Sequence, residues 1–311
     1  MDDALRPRLS ATGVLTTRQA ADLGVDHHRL ARHVREGELV RVRAGVYVDG
    51  ERHRRADPLA RDLLEVRAML TACGVGYAAA HLSAVAVHGL PVLERDLGPV
   101  ELAGVETGTA RRDGRLRIHP PVPARLVTEH DEVAVVRAPS AVLEAEATTG
   151  LRAGLVAADA GLHRRAFTPA DLEVALVETP LGRGRRTAVQ VVRLADARSE
   201  SPGETWTRLL FHQLGVAPME LQAVIHDEDG RFVARVDLLD RAHRLVVEFD
   251  GALKYAGGGT GQAALVAEKR REDAIRRLGY RVLRLVWADL LDPARLLRLV
   301  RTAQQGCLTP V

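Results

Sequence analysis

The stretch Val246-Val247-Glu248-Phe249-Asp250-Gly251, preceded by Arg235-Val236-Asp237, puts three carboxylates at the ends of two short predicted strands. Side chains alternate faces along a strand, so Glu248 and Asp250 point one way while Val247 and Phe249 point to a core. Asp237 sits on the preceding strand, joined through the polar turn Asp240-Arg241-Ala242-His243-Arg244. Carboxylates gathered on one sheet edge repel each other unless a cation lies among them. Oxygen ligands of this kind suit Mg²⁺ or Mn²⁺. A divalent metal held this way activates water and stabilises a phosphoryl transition state. The chemistry indicated is phosphodiester hydrolysis, and the expected activity is that of a nuclease. Glu204 has two readings: an acid complementing a helix dipole, or a fourth carboxylate reaching the cluster.

Lysine usage bears on the same place. Of 44 basic residues only Lys254 and Lys269 are lysines, and both follow Asp250 closely. A buried ammonium can lose its proton, which a guanidinium cannot, so a site that requires lysine would not accept arginine. Lys254 or Lys269 is therefore a candidate to orient water or to stabilise charge developing on phosphate. The plainer reading is that two lysines fell together by chance.

The elements that must position these groups are legible in outline. Ser201-Pro202-Gly203-Glu204 opens a helix to about Leu214, with Trp206, Leu209 and Leu210 as its buried stripe. A strand near 221–226, a turn at 227–230 and a strand ending in Asp237 follow. After Gly251 comes a glycine-rich loop, 257–261, which is no P-loop because no Gly-Lys-Ser/Thr follows it. A helix over 262–278, a strand over 280–285 and a helix over 293–303 complete the segment.

The front of the chain reads as a winged helix-turn-helix. Thr16 or Thr17 caps a helix to about Leu23, Gly24 ends it, and Asp26 caps a second helix to about Glu36. Leu30 and Val34 face the core, while His27, His28, Arg29, Arg32, His33 and Arg35 populate the other faces. The strands 39–43 and 46–48 form the wing. The second helix would enter the major groove and Arg41 or Arg43 would meet phosphate, so His28, Arg29, Arg32, Arg35, Arg41 and Arg43 are the DNA-binding candidates. A small interaction domain with a solvated basic face is the competing reading.

The middle is less informative. Helices are expected over 54–73, 78–89, 140–147, 151–162 and 169–177, with strands near 100–102, 116–119 and 133–136. Pro120-Pro121-Val122-Pro123 reads as a turn or linker, and Leu181–Arg186 as a basic, flexible linker. His81 and His88 share a helix face without a third ligand, which makes a weak metal site, and His119, His130 and His163 are too scattered to connect. Net charge is only +3, so charge alone does not establish nucleic-acid binding. Cys73 and Cys307 are far apart and fit a reducing cytosol. No apolar run approaches the ~20 residues of a membrane helix. A cytoplasmic protein with no membrane partner is expected.

The order helix, strand, strand with Asp, strand with Glu-x-Asp, helix, strand resembles the PD-(D/E)XK nuclease superfamily, and more closely its very-short-patch-repair endonuclease branch. The matching pieces are SPGET, RVDLLD, VVEFDG, EKRREDAIRRLGY and RVLRLVWADL, over about residues 199 to 303. The front resembles the AbiEi-type antitoxin winged helix of type IV toxin-antitoxin systems, through LTTRQAADLGV, RVRAGVYV and, further on, AAAHLSAVAVHGLP. The resemblance implies Asp237 and Glu248 as metal ligands, with Asp250 and Glu204 as additional ones. It also exposes a departure, because Asp250 stands where the superfamily has lysine. Residues 1–53 then form a winged helix-turn-helix, 54–198 an α/β middle domain with linker, and 199–311 a restriction-endonuclease-like domain, in a mixed α/β chain. The expected function is a DNA-binding protein whose endonuclease-like domain hydrolyses DNA with Mg²⁺ or Mn²⁺. The alternative is a repressor or antitoxin with a silent nuclease fold and a cognate toxin as partner. The oligomeric state stays open, a dimer being one option.

Overall fold

The computed structural model describes residues 1–251 and 262–306, with only the backbone described at 147, 148 and 262–265. The chain is mixed α/β, as expected, and divides into two compact units, Met1–Ala195 and Asp196–Val311.

The first unit opens with α1 (Arg6–Thr12), β1 (Val14–Thr16), α2 (Thr17–Asp22), α3 (His27–Arg35), β2 (Leu39–Arg43) and β3 (Val46–Asp49). The local chemistry explains the boundaries. Thr16 and Gln19 form a reciprocal capping box: the Thr16 hydroxyl accepts from the Gln19 N–H at 3.2 Å, and the Gln19 side chain accepts from the Thr16 N–H at 2.9 Å. Asp26 caps α3 by accepting from the Arg29 N–H at 2.9 Å. The three strands form an antiparallel sheet in the order β1-β3-β2 over a core that includes Leu5, Leu9, Leu15, Leu30 and Leu39. One expectation is corrected here. His33, read as an outward-facing side chain, is buried at 1% exposure, with Nδ1 2.6 Å from Glu38 and Nε2 2.9 Å from Asp2.

The unit continues with α4 (Gly50–Arg55), α5 (Pro58–Cys73), β4 (Tyr77–Ala79), α6 (His81–Val87), β5 (Val100–Val105), β6 (Arg111–Asp113), β7 (Leu116–Val122), β8 (Val127–His130), β9 (Val133–Val136), α7 (Ala138–Thr149), α8 (Leu151–His163), α9 (Pro169–Glu178) and α10 (Arg185–Leu194). The sheet order is β6-β7-β5-β4-β9-β8, with parallel pairing of β5 to β7 and β4 to β9. Leu64 and Ala68 of α5 pack on Val14, Val46 and Val48, so the wing strands share a core with the helix that follows them.

Four further readings change. The helix expected over 78–89 is the shorter α6, because Tyr77–Ala79 pairs as β4 with β5 and β9. The helix expected over 54–73 is two helices, because Pro58 pushes the residue before it out of the helical region and Asp57 caps the second by accepting from the Ala60 N–H at 2.8 Å. Pro120 and Pro121 belong to β7 and not to a linker. They lie beyond the reach of β6 and at a register shift of the β5 pairing, where a missing N–H costs little. The basic linker at 181–186 instead leads into α10, whose Ala188 and Val191 are buried at helical spacing while its arginines face out.

Asp62 of α5 is buried beside Glu65. Burial first, and then the charge of Glu65, push its carboxyl up to about 6 from 3.8. The folded chain holds this proton more tightly than the unfolded one, so the stability it contributes is full below pH 3.8 and is lost as pH rises through about 6. Asp62→Asn is expected to stabilise the protein near pH 8 by up to about 3 kcal/mol and to have no effect below about pH 4. Urea denaturation at the two pH values checks this.

The second unit contains α11 (Pro202–Gln213), β10 (Glu220–His226), β11 (Phe232–Asp240), β12 (Leu245–Phe249), α12 (Gln262–Arg277), β13 (Arg281–Leu285), α13 (Trp287–Leu290) and α14 (Pro293–Gln305). The sheet runs β10-β11-β12-β13, antiparallel except for the parallel β12–β13 pair. Asp237, expected at a strand end, lies inside β11, which continues to Asp240 because Leu238, Leu239 and Asp240 pair with Val247, Val246 and Leu245. The glycine-rich loop 257–261 lies outside the described residues.

Gly203 near the start of α11 shows why the SPGET segment needs a residue without a side chain. A Cβ there would stand 2.0 Å from Cδ1 and Cε1 of the Phe249 ring, which packs edge-on against Trp287 with centroids 4.8 Å apart. Gly203→Ala is expected to cost about 1–3 kcal/mol by overpacking. Thermal unfolding of the variant against the parent checks it.

Candidate functional site

The register of the second sheet assembles a row of polar side chains. Leu221 and Ala223 pair with Leu238 and Val236, which sets Gln222 opposite Asp237. The Leu238–Val247 pair sets Asp237 beside Glu248 one step further on, and Glu248 pairs with Arg284 of β13. Gln222 adopts a φ of 50°, a left-handed conformation uncommon outside glycine. Its side-chain amide donates to Glu204 at 2.9 Å. Glu204 is buried at 5% exposure and also accepts from the Glu200 N–H at 3.0 Å. Glu204 thus does more than face a helix dipole.

Asp237 accepts from the Phe249 N–H at 3.0 Å. Burial, and then the negative charges of Glu204 and Glu248, push its carboxyl up to about 6, against the pull of the Phe249 N–H and the Gln222 side chain. This is the signature of acids crowded together out of water.

Glu248 is met by a cation from α12. Arg271 forms an ion pair with it, Nη1 lying 3.4 Å from Oε2, and also donates to the Arg235 carbonyl at 3.0 Å and to Glu268 at 3.1 Å. Arg284 bonds Glu272 at 2.8 Å. Glu268, Arg271, Glu272 and Ile275 follow the i, i+3, i+4, i+7 spacing of one helix face. Lys269 falls off that face and is exposed. Lys254 lies outside the described residues. Asp250 is half-buried just past β12, its N–H donating to the Leu285 carbonyl at 2.8 Å.

The structure therefore gathers Glu204, Asp237 and Glu248, and adds Gln222 and Arg271, which the sequence reading did not single out. The helical spacing of Glu268, Arg271, Glu272 and Ile275 was the available signal for Arg271. Asp237 and Glu248 suit a hard divalent cation by donor type, with Arg271 as the competing cation on Glu248. Among the described residues, the groups of three whose ligand atoms all lie within 4.8 Å of one another are elsewhere: His81, Glu101 and His119, and His33, Glu36 and Glu38.

The winged helix presents His28, Arg29, Arg32 and Arg35 on the exposed side of α3, and Arg41 exposed on β2. Arg29 pairs with Asp2, and Arg32 lies 3.9 Å from Glu36. Arg43 is half-buried and paired with Asp113 of β6, so of the two wing arginines Arg41 is the one facing out.

Residues 3–48, which span this winged helix, match the family model described as a transcriptional regulator, AbiEi antitoxin. Over 266 residues the chain is 30% identical to two uncharacterized proteins of Mycobacterium tuberculosis, one from strain CDC 1551 / Oshkosh and one from strain ATCC 25618 / H37Rv, covering 85% of this chain and 91% of each relative. Among the described residues, no helix is long and apolar enough to cross a membrane.

Proposed function

This chain belongs to the same family as the two mycobacterial proteins, and on that premise we propose that it is an antitoxin-type DNA-binding regulator whose C-terminal unit hydrolyses DNA phosphodiesters with Mg²⁺ or Mn²⁺. The N-terminal AbiEi domain brings the chain to DNA, with α3 in the major groove and Arg41 on phosphate, and its partners are DNA and a cognate toxin in the cytoplasm. We read residues 1–53 as the DNA-binding segment, 54–198 as the middle domain and 199–311 as a PD-(D/E)XK, very-short-patch-repair-like domain.

The observation that carries the catalytic reading is Asp237 beside Glu248 on adjacent strands, with buried Glu204 bonded to Gln222, the residue opposite Asp237. Asp237 and Glu248 would hold the metal, with Glu204 and Asp250 as supporting acids. When bound, the metal supplies an activated water and a Lewis acid for the phosphate. Gln222 and the Phe249 N–H orient the acids. Arg271, or else Lys254, supplies the cation that the Asp250 position lacks, since Lys269 is exposed and off the helix face that meets Glu248.

A second reading draws on the Arg271–Glu248 ion pair, which already neutralises one acid. In it the C-terminal unit is a silent nuclease fold on a regulator. Incubating plasmid and single-stranded DNA with the full chain and either metal separates the two. Metal-dependent cleavage supports the first, and DNA binding without cleavage in either metal supports the second.

A further inference from the structure

Away from the carboxylate row and the winged helix, three side chains of the middle segment converge. They are His81 at the start of α6, Glu101 on β5 and His119 on β7. A ring nitrogen of each histidine and a carboxylate oxygen of Glu101 all lie within 4.8 Å of one another. Glu101 is 2% exposed and His119 9%. His119 Nε2 stands 3.1 Å from Glu101 Oε1, while the second oxygen of Glu101 accepts from the Leu82 N–H at 3.2 Å.

The His81 ring is fixed from behind. Its Nδ1 lies 2.8 Å from the main-chain carbonyl of Glu144 on α7. A carbonyl only accepts, so Nδ1 carries the proton and Nε2 turns a lone pair to the other side. A carbonyl holding the far nitrogen of a histidine is the usual outer support of a metal ligand. The backbone of His81 is also held at a φ of 50°, a strained conformation that persists where the surroundings over-determine it. The His81 and His119 rings lie face to face, centroids 3.5 Å apart and planes 20° from parallel.

We propose that His81, Glu101 and His119 form a binding site for a divalent transition metal of the zinc class, separate from the Mg²⁺ or Mn²⁺ chemistry of the C-terminal unit. Ligand atoms around zinc are spaced roughly 3.3 Å apart, given bonds of about 2.0–2.1 Å. The His119–Glu101 pair is already near this spacing, and metal uptake swings the rings out of their stack. Two imidazoles and one carboxylate favour Zn²⁺, Co²⁺ or Ni²⁺ over Mg²⁺, and three protein ligands leave the fourth position to water. The metal would staple α6 to β5 and β7. Arg117, with Nη1 3.9 Å from Glu101, is the cation it would displace. The other histidine-containing group is already committed, since both nitrogens of His33 meet carboxylates. His88, which follows the last residue of α6, plays a different part, because its Nε2 bonds the Val136 carbonyl at 2.8 Å.

The test titrates chelator-stripped full chain with Zn²⁺ by calorimetry and with Co²⁺ by visible absorption. In Glu248→Ala, which removes a ligand from the C-terminal acids, one saturable equivalent and the intense cobalt band of a tetrahedral site are expected to remain. His81→Asn, chosen because asparagine tolerates the left-handed backbone, is expected to weaken binding about 100-fold or more, and His119→Gln likewise. Because a core variant can misfold, ¹⁵N shifts of the histidine rings in the unsubstituted protein give a second readout. Zn²⁺ is expected to move His81 and His119 and leave His88 in place. No saturable uptake, uptake untouched by both substitutions, or ring shifts confined to other histidines would overturn the proposal.

Discussion

Alanine at Asp237 or at Glu248 is expected to lower metal-dependent DNA cleavage on the order of 10³-fold while DNA binding stays intact. The size follows from the several kcal/mol of charge stabilisation and water activation that a bound metal contributes. Asp237 is crowded by Glu204 and Glu248, whereas removing Glu248 takes one of two carboxylate partners from Arg271, which keeps Glu268. The two substitutions therefore act on the fold in opposite senses, one relieving repulsion and the other removing an ion pair. Equal loss of cleavage from both would point to metal binding as the shared cause. Cleavage rates on supercoiled plasmid, read beside circular dichroism and DNA affinity, make that comparison. Loss of cleavage that tracked loss of fold would count against it.

Replacing Arg32 and Arg41 together by alanine is expected to weaken DNA binding about 10- to 100-fold near physiological salt and to flatten its salt dependence. Each phosphate contact removed takes roughly 0.9 from the slope of log affinity against log salt, and a lost base contact costs about 1–3 kcal/mol. Arg43→Ala is expected to do less, because Arg43 is already paired with Asp113 and half-buried. Fluorescence anisotropy across a salt series reads both the affinity and the slope. An unchanged slope in the double variant would remove the winged-helix face from the DNA contact.

Much of this was legible in the chain itself, and the reasons are local. The caps at Thr16 and Asp26 announce α2 and α3. The alternation through Val247, Glu248 and Phe249 announces β12, and with it the acid beside Asp237. Short elements escape such reading. β1 has three residues, and β6 is Arg-Arg-Asp with every side chain exposed, so neither carries an apolar period. Long-range partners escape it too. His33 is buried because Asp2 and Glu38 close on it, which its place on a basic helix does not suggest. Arg271 reaches Glu248 only through the seating of α12 on the sheet, and the scarcity of lysine drew attention to Lys254 and Lys269 instead. His81, Glu101 and His119 are brought together by the parallel pairing of β5 with β7, in which His119 stands opposite Ala103, two residues along the strand from Glu101.

The acids of the second unit are proposed to act on DNA through a metal. The measurement that tests it most directly is nicking of supercoiled plasmid by the purified full chain in Mn²⁺, with a chelator control and with Glu248→Ala alongside. Nicking that needs the metal and disappears in the variant is predicted. Nicking that survives in Glu248→Ala at the parent rate, or a parent protein that binds the plasmid in Mn²⁺ and leaves it intact, would contradict it.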